Sequence, residues 1–292
     1  MTALATELTK NKDRIKLFSS DLNGTLVHQH TMSDMIRLYV GREQFTKAHS
    51  VFKRQTRGTA TIEEAFHIVG SLTRGITLRN AIEYTKYHLE YIDGFHEFID
   101  YLHSEKIPLV INSTGYSVTI YAIREKVGCD KIHGYIGNFL RFGLDADPRM
   151  TLHEYELEKM VRSYFIDPSA AYDQSYDRIK ATGVIDMGIG NENAKVAMLL
   201  KYADEYFSGI DPMWIAHIGD TMGDSAAIIE IAKMGGIGIA FNYNKALEQF
   251  LLSRMSCETI KGKILMVGKK NSKVNLVSVL SALYKDSSLY DR

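Results

Sequence analysis

A short apolar segment near the start of the chain ends in an aspartate and runs directly into a glycine-containing turn. Residues 15–20 read Ile-Lys-Leu-Phe-Ser-Ser, and Asp21 follows at once, with Gly24 close behind. An apolar run of this length bounded by a turn signal predicts a buried β-strand. In an open parallel sheet, ligands bind beyond the carboxyl ends of the strands. The sequence therefore predicts that Asp21 faces a binding crevice, with the permissive backbone of Gly24 turning tightly beside it.

The length and charge of the chain restrict its class. A chain of 292 residues fits one large domain with an insertion. Equal numbers of basic and acidic residues, 35 of each, argue against a general nucleic-acid or membrane-surface binder, which needs a basic excess. The sequence has neither an apolar run of transmembrane length nor a signal-peptide pattern. We expect Cys129 and Cys257 to be buried thiols in a reducing compartment, and thus a cytoplasmic protein.

Residues 29–92 show helical periodicity without a strand pattern. Within this block, Thr61 and Glu64 form a capping-box-like signal that predicts a helix start. From residue 93 onward, strand and helix patterns alternate, which is typical of a parallel sheet. We therefore expect an α/β fold: a Rossmann-like parallel sheet core formed by residues 1–28 and 93–292, and an inserted helical cap formed by residues 29–92.

The sequence also makes predictions for individual segments of the core. The pattern predicts a turn at residues 112–115 after a strand, a hairpin or flap at 133–146, and an irregular to helical segment at 147–187. The lysine-rich stretch 261–273 is interpreted as a solvated loop and the start of a helix.

Five polar side chains lie at or near predicted strand ends and helix starts, and they are Asp21, Ser113, Lys195, Asp220 and Asp224. Spread over so much of the chain, they can meet only at one edge of one sheet. Asp21 and Asp220 offer hard oxygen ligands that suit Mg²⁺. Ser113 adds a hydroxyl, and Lys195 adds a point positive charge. Such a set fits phosphoryl transfer, in which catalysis is mostly positioning and charge neutralisation.

Four stretches of the sequence together resemble a known family. In order, they resemble the four motifs of the haloacid dehalogenase-like hydrolases: Asp-Leu-Asn-Gly-Thr-Leu at 21–26, Asn-Ser-Thr-Gly at 112–115, Asn-Ala-Lys at 193–195 and Gly-Asp-Thr-Met-Gly-Asp at 219–224. Residues 233–242 are similar to the strand that follows in the phosphoserine phosphatase-like branch. The helical block at 29–92 lies where that branch has its cap.

The resemblance implies a nucleophile and a metal site. Asp21 would attack phosphorus and form an aspartyl-phosphate. Mg²⁺ would be held by the Asp21 carboxylate, the backbone carbonyl of Asn23 and Asp220, with Asp224 in the outer shell of the metal.

The resemblance also implies a phosphate-binding site. Ser113 and Lys195 would bind the phosphoryl oxygens, with Thr114 and Gly115 beside Ser113 in the same motif. The helical cap would close over the substrate and exclude water.

Asn23 departs from the family pattern. The family's phosphatases have a second aspartate at this position, which protonates the leaving group and then activates water. An amide cannot exchange a proton near pH 7. General acid–base catalysis contributes roughly 10²–10⁴-fold, so we expect slow turnover or a long-lived phospho-enzyme. A natural variant tuned for slow hydrolysis or transfer, a degenerate enzyme and a laboratory substitution all stay open.

The substrate contacts of the phosphoserine branch also differ. His30 occupies the place of the branch's glutamate, and the cap arginine aligns near Val69. Both charges that would bind the amino and carboxyl groups of an amino acid are therefore missing, which argues against phosphoserine as the substrate. We expect a hydroxylated phosphate monoester instead, with His28 or His30 in contact with it.

These observations predict a Mg²⁺-dependent phosphatase that acts on a small phosphorylated metabolite through an aspartyl-phosphate. The alternatives are a phosphotransferase with a long-lived phospho-enzyme and a non-enzymatic module that binds phosphorylated ligands. We expect neither a nucleic-acid nor a membrane partner. The sequence makes no prediction of the oligomeric state.

Overall fold

The computed structural model describes residues 15–56, 59–270 and 272–285. The strands in this part of the chain are β1 Leu17–Ser20, β2 Leu109–Tyr116, β3 Gly134–Leu144, β4 Ile179–Asp186, β5 Ile215–Gly219, β6 Ile237–Tyr243 and β7 Lys263–Lys269. They form a seven-stranded sheet in the order β4-β3-β2-β1-β5-β6-β7. Neighbouring strands are parallel, except that β3 and β4 are antiparallel. The predicted α/β class with a Rossmann-like sheet is confirmed.

Helices connect the strands and cover the sheet. In chain order, the α-helices of the described residues are α1 Thr31–Tyr39, α2 Arg42–Thr56, α3 Ile62–Leu72, α4 Leu78–Glu83, α5 Phe95–Ser104, α6 Ser117–Val127, α7 Glu154–Ile166, α8 Ser175–Arg178, α9 Glu192–Phe207, α10 Ser225–Lys233, α11 Lys245–Cys257 and α12 Val277–Lys285. A π-helical turn, Tyr84–His88, continues α4. Within the described residues, every helix is too short or too polar to serve as a membrane span.

The central strand β1 is buried on both faces. Successive side chains of a strand point to opposite faces of the sheet, so Leu17 and Phe18 enter two different hydrophobic clusters. Phe18 packs edge-to-face on Phe98 of α5, with ring centroids 5.3 Å apart. Burying a side chain of this size contributes about 1.5–3 kcal/mol. A strand covered on both faces reads as an apolar run, which explains why the sequence predicted β1.

The helices α1 to α4 and the π-helical turn lie between β1 and β2, where the sequence predicted a helical block. The predicted cap of α3 is confirmed, since the Thr61 hydroxyl accepts a hydrogen bond from the Glu64 amide at 3.0 Å. The turn between α3 and α4 joins this block to the sheet edge, where the amide of Gly75 donates to the carbonyl of Ala181 in β4 at 2.9 Å. The division into core and cap stays a prediction.

Three local predictions were wrong, and a fourth was right only in part. Residues 112–115 form no turn, because β2 continues to Tyr116 with a register shift after Asn112. Residues 133–146 form no hairpin, because β3 is one strand between β2 and β4. The stretch 261–273 contains the edge strand β7 instead of a loop alone. The segment 147–187 is helical as predicted in α7 and α8, but it also contains the edge strand β4. Edge strands carry polar and charged side chains, which hides them in a periodicity search.

The two cysteines were also predicted wrongly. Cys129 and Cys257 are both free and exposed. Cys129 follows the end of α6, and Cys257 is the last residue of α11, so neither side chain lies on a face that packs against the core.

Candidate active site

Three carboxylates meet where two neighbouring strands end. Asp21 directly follows β1 and Asp220 directly follows β5, and these strands pair in parallel at the centre of the sheet. Asp224 lies on the short helical turn after β5. One carboxylate oxygen from each of the three lies within 4.8 Å of the others, and all three residues are buried. The structure thus brings Asp21 together with two acidic groups that lie about 200 positions further along the sequence.

Lys195 enters this carboxylate cluster from helix α9. Its Nζ lies 2.9 Å from Oδ1 of Asp21 and also donates a hydrogen bond to Oδ1 of Asp224. The Lys195 side chain is only 3% exposed. The side-chain amide of Asn112 in β2 donates to the backbone carbonyl of Lys195 at 3.1 Å, which holds the start of α9 against the sheet. Asn191 caps the same helix by accepting from the amide of Ala194.

The charges in the cluster do not balance. Three carboxylates face one ammonium, and burial together with the neighbouring Asp224 raises the pKa of Asp21 even though Lys195 opposes the shift. Burial and the charges of Asp21 and Asp224 raise the pKa of Asp220 well above its usual range. Burial alone would also raise the pKa of Asp224, but Lys195 and a hydrogen bond from His217 lower it to about 2. An added cation would offset the excess negative charge.

The donor set at Asp220 fits a divalent cation. The Oδ1 atom of Asp220 is buried and has no hydrogen-bond partner among the described residues. A buried carboxylate oxygen without a donor is costly unless a cation satisfies it. Mg²⁺ prefers hard oxygen ligands of this kind, and Asp21 and Asp220 supply them. The roles of Asn23 and Asp224 toward a metal stay predictions.

Gly24 leaves room for Asp220. The backbone of Gly24 has a φ of +79°, and a Cβ built there would lie 2.2 Å from Oδ2 of Asp220. The Asn242 side chain donates to the carbonyl of Gly24 at 2.8 Å, which ties the first loop to the end of β6. A residue without a side chain is therefore required here, both by the left-handed backbone and by the approach of the carboxylate.

His217 is a buried polar residue of the site that the sequence analysis missed. It lies in β5, fully buried, with Nδ1 3.0 Å from the hydroxyl of Ser19 and Nε2 3.4 Å from Oδ1 of Asp224. Burial lowers the pKa of His217, while the Asp224 carboxylate opposes the shift. The contact with His217 therefore orients the Asp224 carboxylate. The sequence offered one signal for this role, which is a single histidine in an apolar strand, three residues before Asp220. The same pattern is equally typical of a histidine that only packs in the core.

The second motif lies beside the cluster within β2. Ser113 is fully buried, and its hydroxyl accepts a hydrogen bond from the amide of Gly115 at 3.1 Å. Thr114 lines the cavity above the carboxylates. A Cβ on Gly115 would lie 3.4 Å from Nδ2 of Asn23, so the first and second motifs are in close contact. Phosphate binding by Ser113, Thr114 and Gly115 stays a prediction.

Asn23 links the first motif to the helical block. Its side-chain carbonyl accepts a hydrogen bond from the amide of Thr31 at 3.0 Å, at the start of α1. Asn23 also lines the cavity next to Asp21. The amide thus occupies the position beside the predicted nucleophile and is held there by the backbone of α1.

A cavity of about 980 Å³ extends from the carboxylate cluster to helices α1, α2 and α3. Asp21, Asp220 and Lys195 line one end, and His28 and His30 line the path toward the helices. The structure therefore places the predicted substrate contacts His28 and His30 in the same cavity as the carboxylates. A volume of this size is at the upper end for sites that hold drug-sized ligands.

The chain matches no family model and no curated protein sequence, but it is similar to solved structures. A phospho-aspartyl intermediate analogue of phosphoserine phosphatase is 20% identical with a TM-score of 0.62, and the match covers 92% of this chain and 98% of that one. A HAD family hydrolase from Salmonella enterica subsp. enterica serovar Typhi is 13% identical with a TM-score of 0.58, covering 80% and 64%.

A third similar structure is cytosolic 5′-nucleotidase IIIB bound to cytidine. It is 14% identical with a TM-score of 0.54, and the match covers 97% of this chain and 89% of the nucleotidase. At these identities the likeness concerns the fold. The chain has the fold of the haloacid dehalogenase (HAD) family hydrolases, in the arrangement seen in phosphoserine phosphatase.

Proposed function

We propose that the protein is a Mg²⁺-dependent phosphatase that hydrolyses a small phosphate monoester through an aspartyl-phosphate at Asp21. The observation that carries this proposal is the contact of Lys195 with Asp21 and Asp224 beside the unpartnered oxygen of Asp220. The proposal includes Mg²⁺ as the metal and the cytoplasm as the location.

In the proposed first step, one oxygen of the Asp21 carboxylate attacks phosphorus. The new oxygen–phosphorus bond forms as the bond to the leaving alcohol breaks, and its electron pair goes to the alcohol oxygen. In the second step, water attacks the phosphorus of the aspartyl-phosphate, and inorganic phosphate leaves while the Asp21 carboxylate is restored. The alcohol gains one proton from solvent water in the first step, and the attacking water loses one to solvent in the second, because the Asn23 amide can neither give nor take a proton near pH 7.

The residues of the cluster support these steps by charge and position. Lys195 holds Asp21 by its hydrogen bond of 2.9 Å and offsets the charge of the incoming phosphate. Burial lowers the pKa of Lys195, but the charges of Asp21 and Asp224 outweigh this and keep the side chain protonated. Mg²⁺, held by the Asp21 and Asp220 carboxylates and the Asn23 carbonyl, would neutralise phosphoryl charge when bound.

Asn23 supports a second candidate function. Its side-chain oxygen is occupied by the Thr31 amide, and its amide nitrogen cannot take a proton from water. The aspartyl-phosphate would then survive longer, which gives an alcohol time to accept the phosphoryl group. The second candidate is therefore a phosphotransferase built on the same Asp21 chemistry.

Product analysis with Mg²⁺ and a panel of sugar, polyol and nucleoside phosphates tests both functions. Release of inorganic phosphate supports the phosphatase, and phosphorylated alcohol without free phosphate supports the phosphotransferase. Asp21→Asn should abolish either product, whereas Asp204→Asn, at an exposed position on α9, should have no effect. If neither product forms, even after Asn23→Asp, the protein is better described as a module that binds phosphorylated ligands.

A further inference from the structure

The end of the cavity away from the carboxylates is lined by rings. We call this surface the ring wall, and it consists of His30, Phe45, His49, Phe52 and Phe66. The rings contact one another: the centroids of His30 and Phe52 are 4.2 Å apart, and those of Phe52 and Phe66 are 5.4 Å apart. Phe45 and His49 stack at 6.0 Å. The wall is thus a connected set of planar side chains from the start of α1 and from α2 and α3.

The members of the ring wall differ in exposure. Phe52 and Phe66 are buried, with 8% and 4% of their surfaces exposed. His30 and His49 are exposed, and Phe45 is half-buried. Because all five line the cavity, the buried pair forms a rigid base and the other three present ring surface to a ligand. Core packing accounts for Phe52, Phe66 and the covered part of Phe45, but it does not explain the exposed rings of His30 and His49.

The ring wall carries little charge next to the cavity. The exposed surface of His30 faces the cavity, where the surrounding protein limits hydration and lowers the pKa of the imidazole to about 4, so the ring is neutral near pH 7. Asp34, which also lines the cavity, is paired with Arg37 at 2.7 Å. Lys53 and Lys270 line the cavity as well, and both are exposed to solvent. A neutral planar surface of this kind favours a flat apolar group over a carboxylate or an ammonium.

We propose that the leaving group of the substrate contains a planar aromatic or heteroaromatic ring that stacks on the open rings of the wall, which are Phe45 and His49 on α2 and His30 before α1. This inference rests on the proposed phosphatase function, because it places the phosphoryl group at Asp21 and Lys195. It narrows the hydroxylated monoester expected from the sequence to an alcohol that bears such a ring. The size of the cavity, about 980 Å³, leaves room for both parts of the molecule.

A matched pair of substrates tests the inference. Benzyl phosphate and cyclohexylmethyl phosphate are both esters of primary alcohols, and their rings differ in planarity and π-character. The saturated ring is the more hydrophobic of the two, so a preference for benzyl phosphate requires stacking. We expect kcat/KM for benzyl phosphate to be about tenfold higher, the effect of one or two good aromatic contacts. Equal values, or a preference for the cyclohexyl ester, would overturn the inference.

Two variants connect the preference to the ring wall. Phe45→Leu and His49→Leu should each reduce the ratio of kcat/KM for benzyl phosphate to that for the cyclohexyl ester about threefold to tenfold. Phe165→Leu is the matched control, since Phe165 is a half-buried phenylalanine on α7 outside the cavity. A preference that survives both wall variants would contradict stacking at this surface.

Binding measurements distinguish a failure of this inference from a failure of the proposed function. If neither ester is hydrolysed, the phosphatase proposal fails, and calorimetry with benzylphosphonate and cyclohexylmethylphosphonate decides the ring question. Tighter binding of benzylphosphonate, lost in Phe45→Leu, supports the ring wall as a recognition surface. Equal binding, or no binding of either phosphonate, overturns it.

Discussion

The ammonium of Lys195 lies 2.9 Å from the carboxylate of Asp21, although 174 positions separate the two residues in the sequence. The contact forms because β1 ends at the centre of the sheet and α9 begins above the same edge. Asp224 shares the ammonium and His217 supports Asp224. A buried cation with two carboxylate partners fixes the position of the proposed nucleophile before any ligand arrives.

Lys195→Met should destabilise the fold. The substitution leaves Asp21 and Asp224 as buried carboxylates without their cation, and breaking such a pair costs about 3–5 kcal/mol. Urea unfolding of the metal-free protein should show this loss at about pH 8 and a smaller loss at about pH 5, because protonation removes the unpaired charge.

Lys201→Met is the matched control for that measurement, since Lys201 is an exposed lysine on the same helix. The control should unfold like the unmodified protein. Equal stability of the Lys195 and Lys201 variants would mean that the buried ion pair does not stabilise the fold.

Asp220→Asn should weaken metal binding without destabilising the metal-free protein. In the metal-free protein, Asp220 is repelled by Asp21 and Asp224, so the neutral amide should leave the melting temperature unchanged or raise it. The variant should lose the stabilisation by Mg²⁺, which is about 2.7 kcal/mol when the free metal exceeds its Kd a hundredfold. Thermal unfolding with and without Mg²⁺ measures both effects. A full Mg²⁺ response in the variant would remove Asp220 from the metal site.

Gly24→Ala should weaken Mg²⁺ binding by more than backbone strain at this position would explain. The new methyl group would lie 2.2 Å from the Asp220 carboxylate. Gly75→Ala is the control, because Gly75 has a φ of +92° and nothing within 4 Å of a built Cβ. Both variants should lose about 1–3 kcal/mol of stability from strain. Only Gly24→Ala should weaken Mg²⁺ binding in calorimetry, and similar affinities in both variants would contradict the close approach.

Asn23→Asp should accelerate turnover. The carboxylate can accept the hydrogen bond from the Thr31 amide in the same place, and it can also exchange a proton with the leaving group and with water. General acid–base catalysis of this kind contributes roughly 10²–10⁴-fold. Single-turnover kinetics should show faster loss of the phospho-enzyme, whereas Asn80→Asp on α4 should behave like the unmodified protein. Unchanged kinetics in Asn23→Asp would show that Asn23 does not limit the reaction.

The sequence predicted the parts of the site that follow from strand order. Asp21 and Asp220 each come directly after an apolar run, and the carboxyl ends of adjacent parallel strands must lie side by side. Lys195 carries no such signal, since lysines on helices are usually solvated, and its place came from the resemblance of the Asn-Ala-Lys stretch. The fold class and the helical block were predictable for a different reason, which is the strong hydrophobic periodicity of their strands and helices.

Other features depend on contacts that no local pattern contains. His217 is polar in an apolar strand, and only the packing of β5 beside Ser19 and Asp224 distinguishes it from a core histidine. The edge strand β4 alternates Ile179 and Ala181 with polar residues, a pattern too short to separate from the helices before it. The ring wall was also hidden, because its aromatic residues have the same spacing as ordinary helix packing.

Trapping of the phospho-enzyme tests the central proposal most directly. Protein incubated with Mg²⁺ and a phosphate monoester that it hydrolyses is quenched in acid, and peptide mass spectrometry locates the phosphoryl group. We expect one phosphoryl group on Asp21, absent from Asp21→Asn and from samples with EDTA. Phosphate release by the enzyme with Asp21 unmodified at every time point, or undiminished release by Asp21→Asn, would contradict nucleophilic catalysis by Asp21.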